Sequence, residues 1–212
     1  MYSRESLDEI FNKSLSENTL SYIEKYTPPN MEIYDKCLLN LYMAILYANM
    51  GYFEKFDIVV RDSINELENK KDKESELNAI LSIFYAITLK SKNLFFIDMK
   101  IVTKAKFFAE LSLKQDEFNI RALYSLALIS MYTSNSISKY VKAESYLLDA
   151  IEIYKSNLMN NEIWGVDWCY SLIIKLYNII GEKKLQKLYY DEAIKLFPNS
   201  EYVKKTLIKT IK

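Results

Sequence analysis

Histidine is absent from the 212 residues, and glycine, proline and cysteine are scarce, with 3, 3 and 2 copies. Each shortage excludes something. Without imidazole there is no usual general base, no Ser-His or Cys-His nucleophile, and little with which to build a metal site. Three glycines cannot form a phosphate-cradling loop, and no Gly-rich fingerprint occurs. Collagen, a disordered chain and a disulfide framework all fail on composition. Neither charge sign is in excess, because Lys+Arg and Asp+Glu both number 28. A nucleic-acid binder normally carries a basic footprint. Arginine, the residue suited to base and phosphate forks, occurs only as Arg4, Arg61 and Arg121. No nucleic-acid partner is expected.

Long apolar runs are missing too. The longest, Leu41 to Ala48, is far below the roughly 20 residues that span a bilayer. The start, MYSRESLDEIF, has no apolar signal core. Cys37 and Cys169 both lie in apolar helical runs, which makes them buried free thiols suited to a reducing compartment. A cytoplasmic protein without a membrane partner is expected. The chain is long enough to bury a core without staples.

What is present is helical pattern. Between the few breakers, apolar residues recur at spacings of three and four. About eleven helical segments follow. They cover about Ser3 or Ser6 to Lys13, Glu17 to Tyr26, Glu32 to Met50, Tyr52 to Asn69, Ser75 to Ser91 and Asp98 to Lys114. The rest run from Asn119 to Ser134, from after Lys139 to Asn157, Glu162 to Gly181, Glu182 to Phe197 and Ser200 to Ile211. Loops are expected at Lys92 to Phe95, Ser136 to Lys139 and Leu158 to Asn161. No period-two run proposes a strand. Short connections make antiparallel helix hairpins, an all-α fold. No linker divides residues 1–212, so one domain is expected.

Several segments share a spacing. Tyr170, Ile173, Ile174, Tyr177, Gly181, Tyr190, Ala193 and Pro198 form the clearest unit. Large residues make the inner stripe of a first helix, Gly181 allows a tight turn, and Ala193 permits close helix approach. Pro198 ends the second helix. Leu123, Leu126, Ala127 and Ser130 lead likewise to Ala143, Leu147 and Ala150, with an insertion between the helices. Asn40, Met43, Ala44, Tyr47 and Gly51 lead to Phe53, Phe56, Val60 and Ser63. Ala105, Ala109 and Ser112 close a further copy whose first helix, Leu77 to Leu89, has no fixed register in the sequence.

This pattern resembles the tetratricopeptide repeat, a helix pair of about 34 residues. Departures stand at Ile174 and Gln186, where the family places small residues. The resemblance implies a right-handed superhelical solenoid of about four antiparallel helix pairs over residues 32–199. Residues 1–31 would then be an N-terminal helical hairpin capping one end, and residues 200–212 a C-terminal capping helix.

The resemblance also implies a concave face lined by the first helix of each pair, which holds a peptide or partner helix. Leu38, Leu41, Ile45 and Asn49 map to it. So do Arg121, Tyr124, Leu128, Met131 and Tyr132, and then Trp168, Ser171, Lys175 and Asn178. Arg121, Tyr124, Met131, Tyr132, Trp168, Ser171, Lys175 and Asn178 are the candidate partner-binding residues. The family's clamp for chaperone tails needs Lys and Asn one turn apart on the first repeat, where this chain has Leu41 and Ile45. That clamp is not expected. An end helix filling the groove is the competing arrangement.

No catalytic constellation emerges. Asp62 and Glu66 share a helix face but sit among charges of both signs, so a solvated face is expected there. The run Glu66 to Glu76 reads as a solvated helix end and loop. Trp164 is expected to pack against the preceding helix pair, with an exposed anchor as the other reading. The 18 tyrosines are ascribed mainly to an A+T-rich coding bias and to the filling of helix stripes. No cofactor, metal or enzymatic activity is expected. The functional expectation is a protein- or peptide-binding adaptor, with a self-associating homo-oligomeric scaffold or an RNA-binding helical repeat as alternatives.

Overall fold

The computed structural model describes residues 4–26, 31–90, 98–133, 138–158 and 164–210. Pro28, Pro29, the Lys92 to Phe95 loop, Ser3, and most of the two other predicted loops lie outside them. The described residues form eleven helices and no strand. They are α1 (Arg4–Glu17), α2 (Ser21–Glu24), α3 (Ile33–Met50), α4 (Phe53–Asn69), α5 (Ser75–Lys90) and α6 (Met99–Gln115). After these come α7 (Ile120–Thr133), α8 (Ser138–Lys155), α9 (Val166–Ile180), α10 (Lys183–Leu196) and α11 (Glu201–Thr210).

Helix ends explain the agreement with the sequence pattern. Gly51 and Gly181 take φ of +80° and +82°, the left-handed conformation that closes a helix. Behind them Tyr52 N–H donates to the Tyr47 carbonyl and Glu182 N–H to the Tyr177 carbonyl, each at 2.9 Å. The first and last candidate repeats therefore turn in the same way. Asn18 and Asn157 end α1 and α8 with the same left-handed step, at φ of 52° and 54°. The starts of α6 and α7 are capped by side chains. Asp98 accepts Lys100 N–H at 2.9 Å, and Asn119 accepts Arg121 N–H and Ala122 N–H at 3.0 and 3.1 Å.

Three bounds differ from expectation. Helix α1 runs on through Glu17, and α2 is a single turn. Helix α9 starts at Val166 rather than near Glu162, because Gly165 at φ +88° stands as its N-cap.

Neighbouring helices pair as α3 with α4, α5 with α6, α7 with α8 and α9 with α10. Each first helix also meets the next first helix, α3 to α5 to α7 to α9. Ala105, Ala109, Ala143, Ala150 and Ala193 are buried on the second helices, where close approach needs small side chains. Between α5, α6 and α7 a polar seam locks register. Ser82 Oγ lies 2.6 Å from Ser125 Oγ and donates to the Ala105 carbonyl at 2.7 Å. Asn78 donates to Gln115 Oε1 at 2.8 Å.

The end segments were expected to cap the two ends of the stack. They touch each other: α1 packs on α3 and α11, and α11 packs on α9, α10 and α1. Glu201 N–H donates to Asn12 Oδ1 at 3.1 Å, and Lys205 Nζ donates to the Leu15 carbonyl. The amphipathic faces of both end helices find their apolar partner on the first helices.

The run Glu66 to Glu76 is the end of α4 and a largely exposed loop, as expected, and some of its carboxylates also reach neighbouring helices. Glu68 accepts Tyr85 Oη and Lys104 Nζ, both at 2.6 Å, which ties α4 to α5 and α6. Glu76 pairs with the buried Arg121 across to α7. Asp62 remains exposed beside Arg61, while Glu66 takes Lys36 at 2.7 Å.

Candidate functional site

Four first helices send side chains at helical spacing into one cavity of about 560 Å³. Helix α3 gives Ile45 and Asn49, α5 gives Ile83 and Ile87, and α7 gives Tyr124, Leu128 and Tyr132. Helix α9 gives Trp168, Leu172 and Lys175. Residues four apart stand one above another on a helix, so each set is a stripe facing the same way. Phe53 and Phe56 of α4 add aromatic wall. Leu15 and Asn18 of the α1 end, with Tyr202 and Lys205 of α11, complete the enclosure. The exposed Asn18, Asn49 and Phe53 mark its mouth, and the buried Tyr124 and Trp168 its floor.

Trp168 organises that floor. Its ring centroid lies 5.8 Å from Tyr42, 5.7 Å from Tyr124, 5.4 Å from Trp164 and 5.5 Å from Tyr202. Phe11 sits at 6.2 Å and stacks on Tyr42 at 4.2 Å. One indole therefore gathers aromatic side chains from α1, α3, α7 and α11, the large apolar areas that dominate core energetics. Trp164 belongs to the same cluster. It is buried and donates Nε1–H to Tyr34 Oη at 2.5 Å, which anchors it on α3.

The candidate partner-binding residues divide by position. Tyr124, Tyr132, Trp168 and Lys175 line the cavity, as do Ile45, Asn49 and Leu128. Arg121 lies elsewhere. It is buried, ion-paired to Glu76, and lies 5.6 Å from the Trp164 ring. Met131 and Ser171 are buried outside the cavity wall. Asn178 is half-exposed and accepts Lys183 Nζ at 2.6 Å. Leu38 and Leu41 are core. The wall residues not placed on this face by the sequence include Ile83 and Ile87, whose repeat had no fixed register, Phe53, Phe56 and Leu172, and the contributions of α1 and α11. The amphipathic face of α11 was visible in sequence, but nothing there says which surface it covers.

Electrostatically the wall is one-sided. Among the described residues that line it are two ammonium groups, Lys175 and Lys205, and no carboxylate. Lys175 Nζ lies 5.4 Å from the Tyr202 ring centroid. Burial pushes the Tyr124 and Tyr132 phenols above their ordinary range and Tyr202 to about 12, so all three stay neutral donors at physiological pH. Burial also raises both thiols, Cys37 to about 12, and both cysteines are free and buried. Below the floor, burial lifts Asp167 to about 6 although Ser200 Oγ–H donates to it at 2.6 Å. Asp8, which accepts the Tyr42 hydroxyl, raises it further.

Among the described residues no three His, Cys, Asp or Glu side chains cluster as metal ligands, and no helix is long and apolar enough to cross a membrane. A scan of protein-family models and a search of curated proteins each find nothing that matches this chain.

Proposed function

We propose that this chain is a non-catalytic binding protein, a tetratricopeptide-like right-handed solenoid whose first helices present a surface to a protein or peptide partner. One observation carries the reading. The stripes on α3, α5, α7 and α9 converge on a single cavity, with aromatic and amide groups at its mouth. Aromatic-lined concavities with a few polar groups are the usual form of a recognition site. The order of helix contacts, pair by pair and first helix to first helix, supports the repeat interpretation. Two buried free thiols suit a reducing compartment, and the cytoplasm is the proposed location.

The test is quantitative affinity capture from the native host with wild type and an Asn49→Ala/Phe53→Ala variant. Both side chains are exposed, so the variant should melt within a few degrees of wild type. A specific partner should be enriched by wild type and depleted with the variant. Equal capture by both proteins, in the face of unchanged melting, overturns the reading.

A further inference from the structure

Helix α11 lies on Trp168 and Lys175, two residues expected to meet a partner. The Tyr202 ring stacks on Trp168, with centroids 5.5 Å apart and planes inclined by 29°, and lies 6.5 Å from Phe11. Val203 beside it is fully buried. Polar contacts fix the direction of the helix. Ser200 Oγ–H donates to Asp167 at 2.6 Å, Glu201 N–H donates to Asn12 Oδ1 at 3.1 Å, and Lys205 Nζ donates to the Leu15 carbonyl. Asn12 thus satisfies one of the orphan donors of a helix N-terminus. Leu15 stands in the last turn of α1, the end of a helix that favours a cation. An aromatic face, an amide acceptor and a terminal carbonyl together make a seat for one helix in one orientation.

The helix in that seat is short and peripheral. It has ten residues, a length at which an isolated helix is marginal in water. It follows an exposed turn at Pro198 and Asn199. The pairs α3 with α4, α5 with α6 and α7 with α8 pack without it.

We propose that this seat is the docking site of a partner's amphipathic helix, which enters by displacing α11. Helix α11 is then an intramolecular competitor, and the partner carries the same recognition features. These are an aromatic residue, an aliphatic one directly after it, and a Lys or Arg three positions past the aromatic, as in Tyr202, Val203 and Lys205. The inference rests on the reading of the first-helix surface as a binding surface, and it names the partner's chemistry and the element that gates access. A tethered competitor acts at an effective concentration on the order of millimolar, so the closed fraction lowers the partner's apparent affinity.

The probe is a dye-labelled peptide of residues 199–212, added to the full chain and read by fluorescence anisotropy. Wild type should bind it weakly and saturably. Tyr202→Ala/Lys205→Ala in the chain changes two half-buried side chains and keeps Val203. That variant should bind the same peptide roughly tenfold more tightly, because its own α11 competes less well. A peptide carrying the same two substitutions should bind neither protein. In wild type, excess unlabelled peptide should raise hydrogen exchange at the chain's own residues 201–205 while α5 to α8 stay protected.

Affinity no higher for the variant than for wild type, with both melting natively, overturns the competitor role. Equal binding of the substituted peptide overturns the assigned contacts. Should the variant not fold, exchange in wild type alone decides: unchanged protection of residues 201–205 under millimolar peptide overturns the inference. A stable wild-type dimer that the peptide dissociates gives the seat to a second copy and overturns a separate partner. Partner capture that depends on Asn49 and Phe53, with α11 undisplaced by peptide, sinks this inference alone. Displacement of α11 by peptide, with capture indifferent to Asn49 and Phe53, sinks the reading of the cavity mouth alone.

Discussion

Arg121 and Glu76 form an ion pair across 45 positions of sequence, with Nε 3.1 Å from Oε2 and side-chain exposures of 5% and 20%. Asn119 Nδ2 donates to the same carboxylate at 2.8 Å. The pair joins the first turns of α5 and α7. Removing one partner of a buried pair leaves the other charge uncompensated, which costs about 3–5 kcal/mol. Glu76→Ala should therefore destabilise by that order in urea unfolding. Replacing both residues by apolar side chains of similar volume, Arg121→Met with Glu76→Leu, should recover much of the loss. A double variant as unstable as the single one would mean that the carboxylate matters mainly to Asn119.

Trp168 and Tyr202 separate a core role from a closing role. Trp168 is 3% exposed and is ringed by aromatics from four other helices. Trp168→Ala should cost about 3–5 kcal/mol in global stability, the usual range for a buried Trp. The substitution is for that reason a poor probe of binding. Tyr202 is half-buried on α11, so Tyr202→Ala should act locally. Hydrogen exchange should rise across residues 201–205 while α5 to α8 keep their protection, as expected when one element opens independently. Equal loss of protection throughout would show that α11 is integral to the core.

Gly165 and Gly51 share a left-handed backbone, at φ +88° and +80°, yet their surroundings differ. A Cβ at Gly51 would meet nothing within 4 Å, whereas at Gly165 it would lie 3.4 Å from Arg121 Cδ. Gly51→Ala should cost only the left-handed penalty of about 1–2 kcal/mol. Gly165→Ala should cost at least as much, because its Cβ would also come into contact with the Arg121 side chain that Glu76 holds. Thermal unfolding of the two variants gives the comparison. A smaller loss at Gly165 than at Gly51 would remove any packing role for the close approach.

The legible and illegible parts of this molecule have physical causes. Gly51, Gly181, Asp98 and Asn119 act through local backbone geometry, so a reader of the sequence can place the helix ends they set. The stripe Tyr124, Leu128, Tyr132 is likewise local periodicity. Gly165 takes the left-handed conformation at the start of α9 and lies beside Arg121, a neighbour it meets only in three dimensions. Arg121 itself looked like a surface donor. Its burial depends on Glu76, and one charge in a mixed run gives no sign that it will be desolvated. The closure of α1 on α11 escaped for the same reason. An amphipathic helix declares that it has an apolar face, not which surface will receive it.

Asp167 gives the fold a pH dependence opposite to that of a salt-bridged carboxylate. Its folded pKa of about 6 lies above the ordinary value near 4, so the folded state holds this proton more tightly than the unfolded chain. Its contribution is most favourable below about pH 4, is lost as pH rises from about 4 to 6, and is a constant cost above that. Two pKa units correspond to roughly 3 kcal/mol. Asp167→Asn keeps an acceptor for Ser200 Oγ–H and removes the titration. Urea unfolding of both proteins between pH 4 and pH 7 isolates this group, because every other titration is common to the pair. The variant should gain on wild type as pH rises, by up to about 3 kcal/mol, and the gain should level off above pH 6. A stability difference that stays flat across this interval would place the Asp167 pKa at its ordinary value and remove desolvation as its governing influence.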